Sequence, residues 1–130
     1  MPITYAIDRS QKRLVTTALG NVTYPEIVAH LEMERDDGGL PLSEFIDASL
    51  ANLNISALEV RLIVDQLQSL GRRNALGPTA ILVGNDVSYG IVRMLEILVE
   101  GVSDIRPFRR RAEAEEWLKA IPMPRPPTQG

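Results

Sequence analysis

Apolar and polar residues alternate at the start of the chain, and further along they change to helical spacing. Ile3, Tyr5 and Ile7 alternate with Thr, Ala and Asp, which is the period of a half-buried strand. Residues 14–19 are rich in Val and Thr, follow a polar turn and precede a Gly-Asn pair, which is expected to end the strand. Two strands separated by so short a turn are predicted to form an antiparallel hairpin.

Capping signals mark where the helices begin. Thr23 with Glu26, and Ser56 with Glu59, form candidate capping boxes, in which the two residues satisfy each other's free backbone amides. Apolar residues that recur every three or four positions predict four helices, over about residues 24–35, 57–70, 86–100 and 111–121.

Three more strands are predicted between the helices, over residues 43–48, 79–83 and 102–108. The last is expected to lie at a sheet edge or to end near Pro107, because that residue cannot donate a ladder hydrogen bond. Alternating strands and helices favour parallel pairing, so the chain is predicted to be an α/β protein with a single mixed five-stranded sheet and about four helices. We expect one domain over residues 1–121 and a Pro-rich, disordered tail over residues 122–130.

Composition excludes several classes of function but does not identify a particular function. The chain of 130 residues has a net charge of −3, so nothing attracts nucleic acid at long range. It contains no Cys, which excludes disulfides and thiol chemistry. No signal sequence and no apolar run long enough to span a bilayer is visible, so a cytoplasmic, non-transmembrane protein is expected.

The order of these segments resembles the STAS fold of the SpoIIAA-like anti-sigma factor antagonists, and more narrowly the small bacterial STAS/SEC14-like proteins. The resemblance covers about residues 3–120. The stretches that carry it are the hairpin at 3–15, Phe45-Ile46-Asp47, Ala80 to Val83, Tyr89 to Met94, and the closing Phe108, Glu113-Ala114 and Trp117-Leu118.

The resemblance implies two different functions. The antagonists have a strand that ends in Asp-x-Ser, matched here by Asp47 and Ser49, and then an Asp-Ser-Ser-Gly motif whose serine is phosphorylated. That motif is replaced by Ile-Ser-Ala-Leu at 55–58, so Ala57 stands where the phosphorylated serine is expected and only Ser56 remains. The likeness to SEC14-like domains implies instead an apolar, lipid-like ligand.

Candidate site residues follow the strands at 43–48 and 79–83. Ligand sites of parallel sheets lie beyond the carboxyl ends of the strands, and free amides at helix starts can bind anions. Capping and turn formation explain the same residue types without a ligand. The candidate switch or partner-binding residues are Asp47, Ser49, Ser56, Asn85, Asp86 and Ser88.

Other charged residues are interpreted as structural. His30 is expected to be partly exposed on the first helix, and a lone histidine without further ligands does not make a metal site. Arg109 and Arg111 are expected to pair with Glu113 and Glu115 four positions on. We expect no metal, no cofactor and no enzyme, because no nucleophile–base pair or cofactor fingerprint is recognisable.

The sequence therefore favours a non-enzymatic regulatory or protein-interaction domain. Its partner would be a protein, such as a regulatory kinase-like protein, or a second copy through the apolar helix at 87–100. The alternative is a domain that binds an apolar or lipid-like small ligand.

Overall fold

A computed structural model describes residues 2–124 of the chain. The observed order of strands and helices, ββαβαβαβα, is the predicted one. The elements are β1 (Ile3–Asp8), β2 (Arg13–Val22), α1 (Tyr24–Asp36), β3 (Ser43–Leu53), α2 (Ala57–Gly71), β4 (Thr79–Val83), α3 (Asp86–Leu98), β5 (Ile105–Phe108) and α4 (Arg111–Ala120).

The strands form one sheet in the order β1-β2-β3-β4-β5. β1 pairs with β2 antiparallel and the other neighbours pair parallel, which confirms the predicted mixed five-stranded sheet. β5 lies at the edge, as Pro107 requires.

The helices cover the two faces of the sheet unequally. α1, α2 and α3 each join two neighbouring parallel strands in the same direction, and right-handed crossovers place all three on one face. Apolar residues of these helices pack there against Leu40, Val83 and Ile105. α4 follows the last strand and packs on the other face, where Ala114 and Leu118 contact Phe45.

β2 and β3 are longer than predicted. The Gly-Asn pair at 20–21 does not end β2, since the strand continues to Val22 and stays paired with β3 as far as Leu53. Between the pairs Thr17–Asp47 and Leu19–Leu50, β3 carries one more residue than β2, which is a β-bulge. The connection between the strand predicted over 43–48 and the helix predicted from 57 is consequently mostly strand, as far as Leu53.

Two further predictions concern the membrane and the tail. Among residues 2–124, no helix is long and apolar enough to cross a membrane. Most of the predicted Pro-rich tail, residues 125–130, lies outside the described residues.

Candidate functional site

Two of the candidate residues connect the start of α3 to the end of β3. Asn85 caps α3 by accepting a hydrogen bond from the Ser88 backbone N–H (2.8 Å), and its Nδ2 donates to the Ala51 carbonyl (3.4 Å) and to Asn52 Oδ1 (3.3 Å). Ser88 is buried, and its Oγ accepts from the Leu53 N–H (3.3 Å). Both side chains are thus occupied in fixing the junction between the end of β3 and the start of α3.

Asp47 and Ser49 make contacts toward α4 instead. Asp47 Oδ1 accepts hydrogen bonds from the Ser49 hydroxyl (2.6 Å) and backbone N–H (3.1 Å), and Oδ2 accepts from Arg111 (2.7 Å). The hydrogen bond from the Ser49 hydroxyl, more than the Arg111 charge, holds the pKa of Asp47 below its ordinary value.

Ser56 and Asp86 stand apart from both groups. Ser56 caps α2 as predicted: its Oγ accepts from the Glu59 N–H (3.1 Å), and its own N–H donates to Glu59 Oε1 (2.9 Å). Asp86 is exposed and pairs with Arg109 (2.8 Å). Within residues 2–124, no side-chain hydrogen bond or ion pair joins Ser56 or Asp86 to either group, or the two groups to each other.

The arginines at the junction of β5 and α4 find different partners from those predicted. Arg109 pairs with Asp86 and Arg111 with Asp47, which lie far away in sequence. Glu115, the expected partner of Arg111, pairs with Arg13 of β2 (2.7 Å). The predicted pairs along the helix were wrong because the packing of α4 on the sheet brings charges of β2, β3 and the start of α3 within reach.

A cavity of about 130 Å³ lies between the sheet and the three helices α1, α2 and α3. We call it the core cavity. Every element on this side of the sheet contributes aliphatic side chains to its wall, among them Ala18, Ile27, Ala48, Ile63, Ile81 and Ile91.

One part of the cavity wall is ionisable. His30 and Glu34 lie one turn apart on α1, and Glu44 reaches them from β3; we call these three residues the buried triad. His30 Nε2 lies 2.9 Å from Glu44 Oε2 and also against Glu34 Oε1. Thr16 on β2 donates a hydrogen bond to Glu44 Oε2 (2.6 Å).

Burial and mutual contact shift the pKa of each member of the buried triad. Burial, reinforced by the charge of Glu44, raises the pKa of Glu34 to about 8. Burial alone would lower the pKa of His30, but its contacts with the two carboxylates outweigh that effect and raise it to about 10. For Glu44 the hydrogen bonds, that from His30 foremost, outweigh burial and lower the pKa.

The expectation of a partly exposed, lone histidine was therefore wrong. His30 is 8% exposed, and its partners are carboxylates rather than solvent. The spacing of His30 and Glu34 was visible in the sequence, and so was a glutamate two residues before Ile46 on the inward face of a strand. The meeting of α1 with β3 was not, because it depends on how the helix packs.

The fold is similar to that of a solved structure of an uncharacterized protein from the DUF3478 family of Shewanella loihica PV-4, described as having a SpoIIAA-like fold. The likeness covers 89% of this chain and 93% of that chain, with a TM-score of 0.56 and 19% sequence identity. It confirms the SpoIIAA-like fold expected from the sequence. No protein-family model and no curated protein matches the chain.

Proposed function

We propose that this SpoIIAA-like domain binds small apolar molecules in the core cavity. The observation that carries the proposal is the cavity of about 130 Å³ within an otherwise packed core. Protein interiors are packed as densely as organic crystals and rarely keep voids larger than a water molecule. At ~24 cal/mol per Å³, leaving such a cavity empty costs about 3 kcal/mol, a large part of a domain's stability.

The size and lining of the cavity define the ligand class. An engineered apolar cavity of about 150 Å³ in another protein binds benzene, so a ring or a short alkyl chain fits here. The wall is mostly aliphatic, and the polar side chains of the buried triad and Thr16 would face one end of the ligand. The proposal therefore concerns an apolar body that carries a single small polar group.

The proposal is tested by titrating the purified protein with benzene and indole while recording methyl NMR spectra and the melting temperature. Shifts confined to methyl groups of the cavity wall and a rise in Tm are expected, since a ligand that binds the folded state stabilises it. Ala48→Leu places a larger side chain in the cavity and should abolish both effects. Ala112→Leu, at an exposed position of α4, is the matched control and should keep them.

Ile63→Ala provides a second test of the proposal in case Ala48→Leu folds poorly. It enlarges the cavity, so it should lower stability by about 2–5 kcal/mol and allow larger rings to bind. Unchanged methyl spectra and Tm with both probes in the wild type and in Ile63→Ala would overturn the proposal.

A second function, protein binding, is favoured by one exposed region of the sheet. α4 packs on β3, β4 and β5 and reaches the start of β2 through the Arg13–Glu115 ion pair, but the later part of β2 stays exposed at Leu19. There Leu19 of β2 and Leu50 of β3 are register partners, and they are 51% and 76% exposed. Contiguous exposed apolar surface, rather than single exposed residues, marks contact surfaces for other proteins, and this pair is the observation that supports one here.

The oligomeric state tests this second function. If the surface joins two copies of the chain, sedimentation should show a dimer that Leu50→Lys dissociates. Leu62→Lys, at an exposed position of α2, is the control. A wild-type monomer at high concentration would contradict the homodimer and leave a different protein as the partner. The expected role as a regulatory domain stays a prediction.

A further inference from the structure

We propose that the buried triad is a binding site for one divalent transition-metal ion. The site would be formed by His30 Nε2, Glu34 Oε1 and Glu44 Oε2. It goes beyond the binding of apolar molecules and does not depend on it, because the ligand atoms belong to side chains rather than to the cavity as a whole.

The geometry of the three atoms carries the proposal. Each residue offers one ligand atom within 4.8 Å of those of the other two, and Nε2 is 2.9 Å from Glu44 Oε2. Ligands at about 2.1 Å from one ion lie roughly 3–3.5 Å apart, so this spacing fits if the closer contact between His30 and Glu34 opens slightly.

The single hydrogen on His30 Nε2 cannot bond to both carboxylates of the buried triad. The N–H of an imidazole nitrogen lies in the ring plane and points to one acceptor, but two carboxylate oxygens lie against His30 Nε2. When the imidazole N–H is used by Glu44, Glu34 Oε1 is left without a hydrogen-bond partner, although the residue is only 4% exposed. Buried polar atoms are almost always paired, and a cation at the centre would pair all three ligand atoms at once.

The surrounding structure supports the ligands as it does in metal sites. His30 and Glu34 are four residues apart on one helix face, and Glu44 sits on a central strand paired on both sides. Thr16 donates a hydrogen bond to Glu44 Oε2 and fixes the orientation of that carboxylate.

The ligand types select the class of ion. One imidazole nitrogen with two carboxylate oxygens suits Zn²⁺, Mn²⁺ or Fe²⁺, whereas Mg²⁺ and Ca²⁺ favour oxygen ligands alone. His30 also lines a separate cleft of about 180 Å³ with Pro2, Pro25 and Met33, and this cleft offers a path to the ion from outside the core cavity.

Titration of EDTA-treated, dialysed protein tests the proposal. Calorimetry with Zn²⁺ or Mn²⁺ should give one ion per chain, and Co²⁺ should give a visible absorption band of a nitrogen–oxygen site. Glu34→Gln keeps the size of the side chain and should weaken binding at least about tenfold. Glu32→Gln changes an exposed glutamate of the same helix and should bind as the wild type does.

His30→Asn provides a second variant should Glu34→Gln fold poorly, and circular dichroism establishes that each variant is folded. The proposal is overturned if the wild type binds none of the three ions at millimolar concentration, or if Glu34→Gln and Glu32→Gln bind equally well. Equal competition by Mg²⁺ would also overturn it, because the histidine would then play no part.

Discussion

Two glycines near the start of α3 differ in what a side chain at their position would meet. A Cβ at Gly84 would lie 2.1 Å from the carbonyl oxygen of Ser49, in the bulge of β3. A Cβ at Gly90, within α3, would meet no atom within 4 Å. Of these two positions, Gly84 is the one where packing requires a glycine, because the chain that leaves β4 passes directly against the backbone of β3.

Alanine substitutions at Gly84 and Gly90 are predicted to have opposite effects on stability. Gly84→Ala should lower the free energy of unfolding by more than about 2 kcal/mol, since backbone must move to admit the methyl group. Gly90→Ala should raise it by about 0.5–1 kcal/mol, because alanine restricts the unfolded chain and favours the helix. Urea denaturation of the two variants measures both, and equal effects would contradict the close approach at Gly84.

Elements are held in place by caps and by ion pairs between them. The capping box at Ser56 was predicted from the sequence and is confirmed. It could be predicted because both of its hydrogen bonds join residues three positions apart. The contact of Asp47 on β3 with Arg111 on α4 was not predicted, because it joins residues 64 positions apart.

The cap prediction concerns the start of α2. Ser56→Ala should destabilise the protein by about 1 kcal/mol, since the Glu59 N–H loses its acceptor. Ser69→Ala, at an exposed position late in the same helix, should have little effect or stabilise slightly. Thermal unfolding compares the two, and equal losses would mean that the cap contributes nothing.

The prediction for Asp47 concerns pH. Its pKa is lower in the folded protein than in the unfolded chain, so the ionised carboxylate stabilises the fold above about pH 4, and this contribution is lost as the pH falls further. Asp47→Asn should cost about 0.5–1 kcal/mol at pH 7, a small effect because both partners are partly exposed.

Denaturation at pH 7, 5 and 3 measures that difference between wild type and Asp47→Asn, which should shrink toward zero at pH 3. Asp65→Asn, at an exposed position of α2, serves as the control and should stay within about 0.5 kcal/mol of the wild type. A difference at Asp47 that does not vary with pH would show that the carboxylate charge is not what stabilises the contact.

Across the whole molecule, the strands of the sheet differ in how completely neighbouring strands and helices cover them. β3 and β4 have a strand on each side, helices α1–α3 on one face and α4 on the other. β1 lies at the edge and pairs only with β2.

Amide hydrogen exchange should reflect this arrangement. The amides of β3 and β4 should exchange slowest, near the rate set by global unfolding, and those of β1 should exchange faster through local opening. NMR-detected exchange measures each strand, and equal protection in β1 and β4 would indicate that the sheet opens as one unit.

The sequence by itself determined the order of the elements, the mixed sheet and the capping box at Ser56. Periodicity and capping are properties of neighbouring residues, so they can be seen before the chain folds. The ends of β2 and β3 were missed, because pairing between the strands outweighs the local tendency of glycine and asparagine to form turns.

Only the tertiary structure decided what lies inside the molecule. The core cavity exists because three helices pack on one face without filling the space beneath them. The buried triad exists because α1 places His30 and Glu34 over the inward side chain of Glu44 on β3. Neither follows from local pattern, since both depend on the distance between elements that are brought together by burial of apolar surface elsewhere.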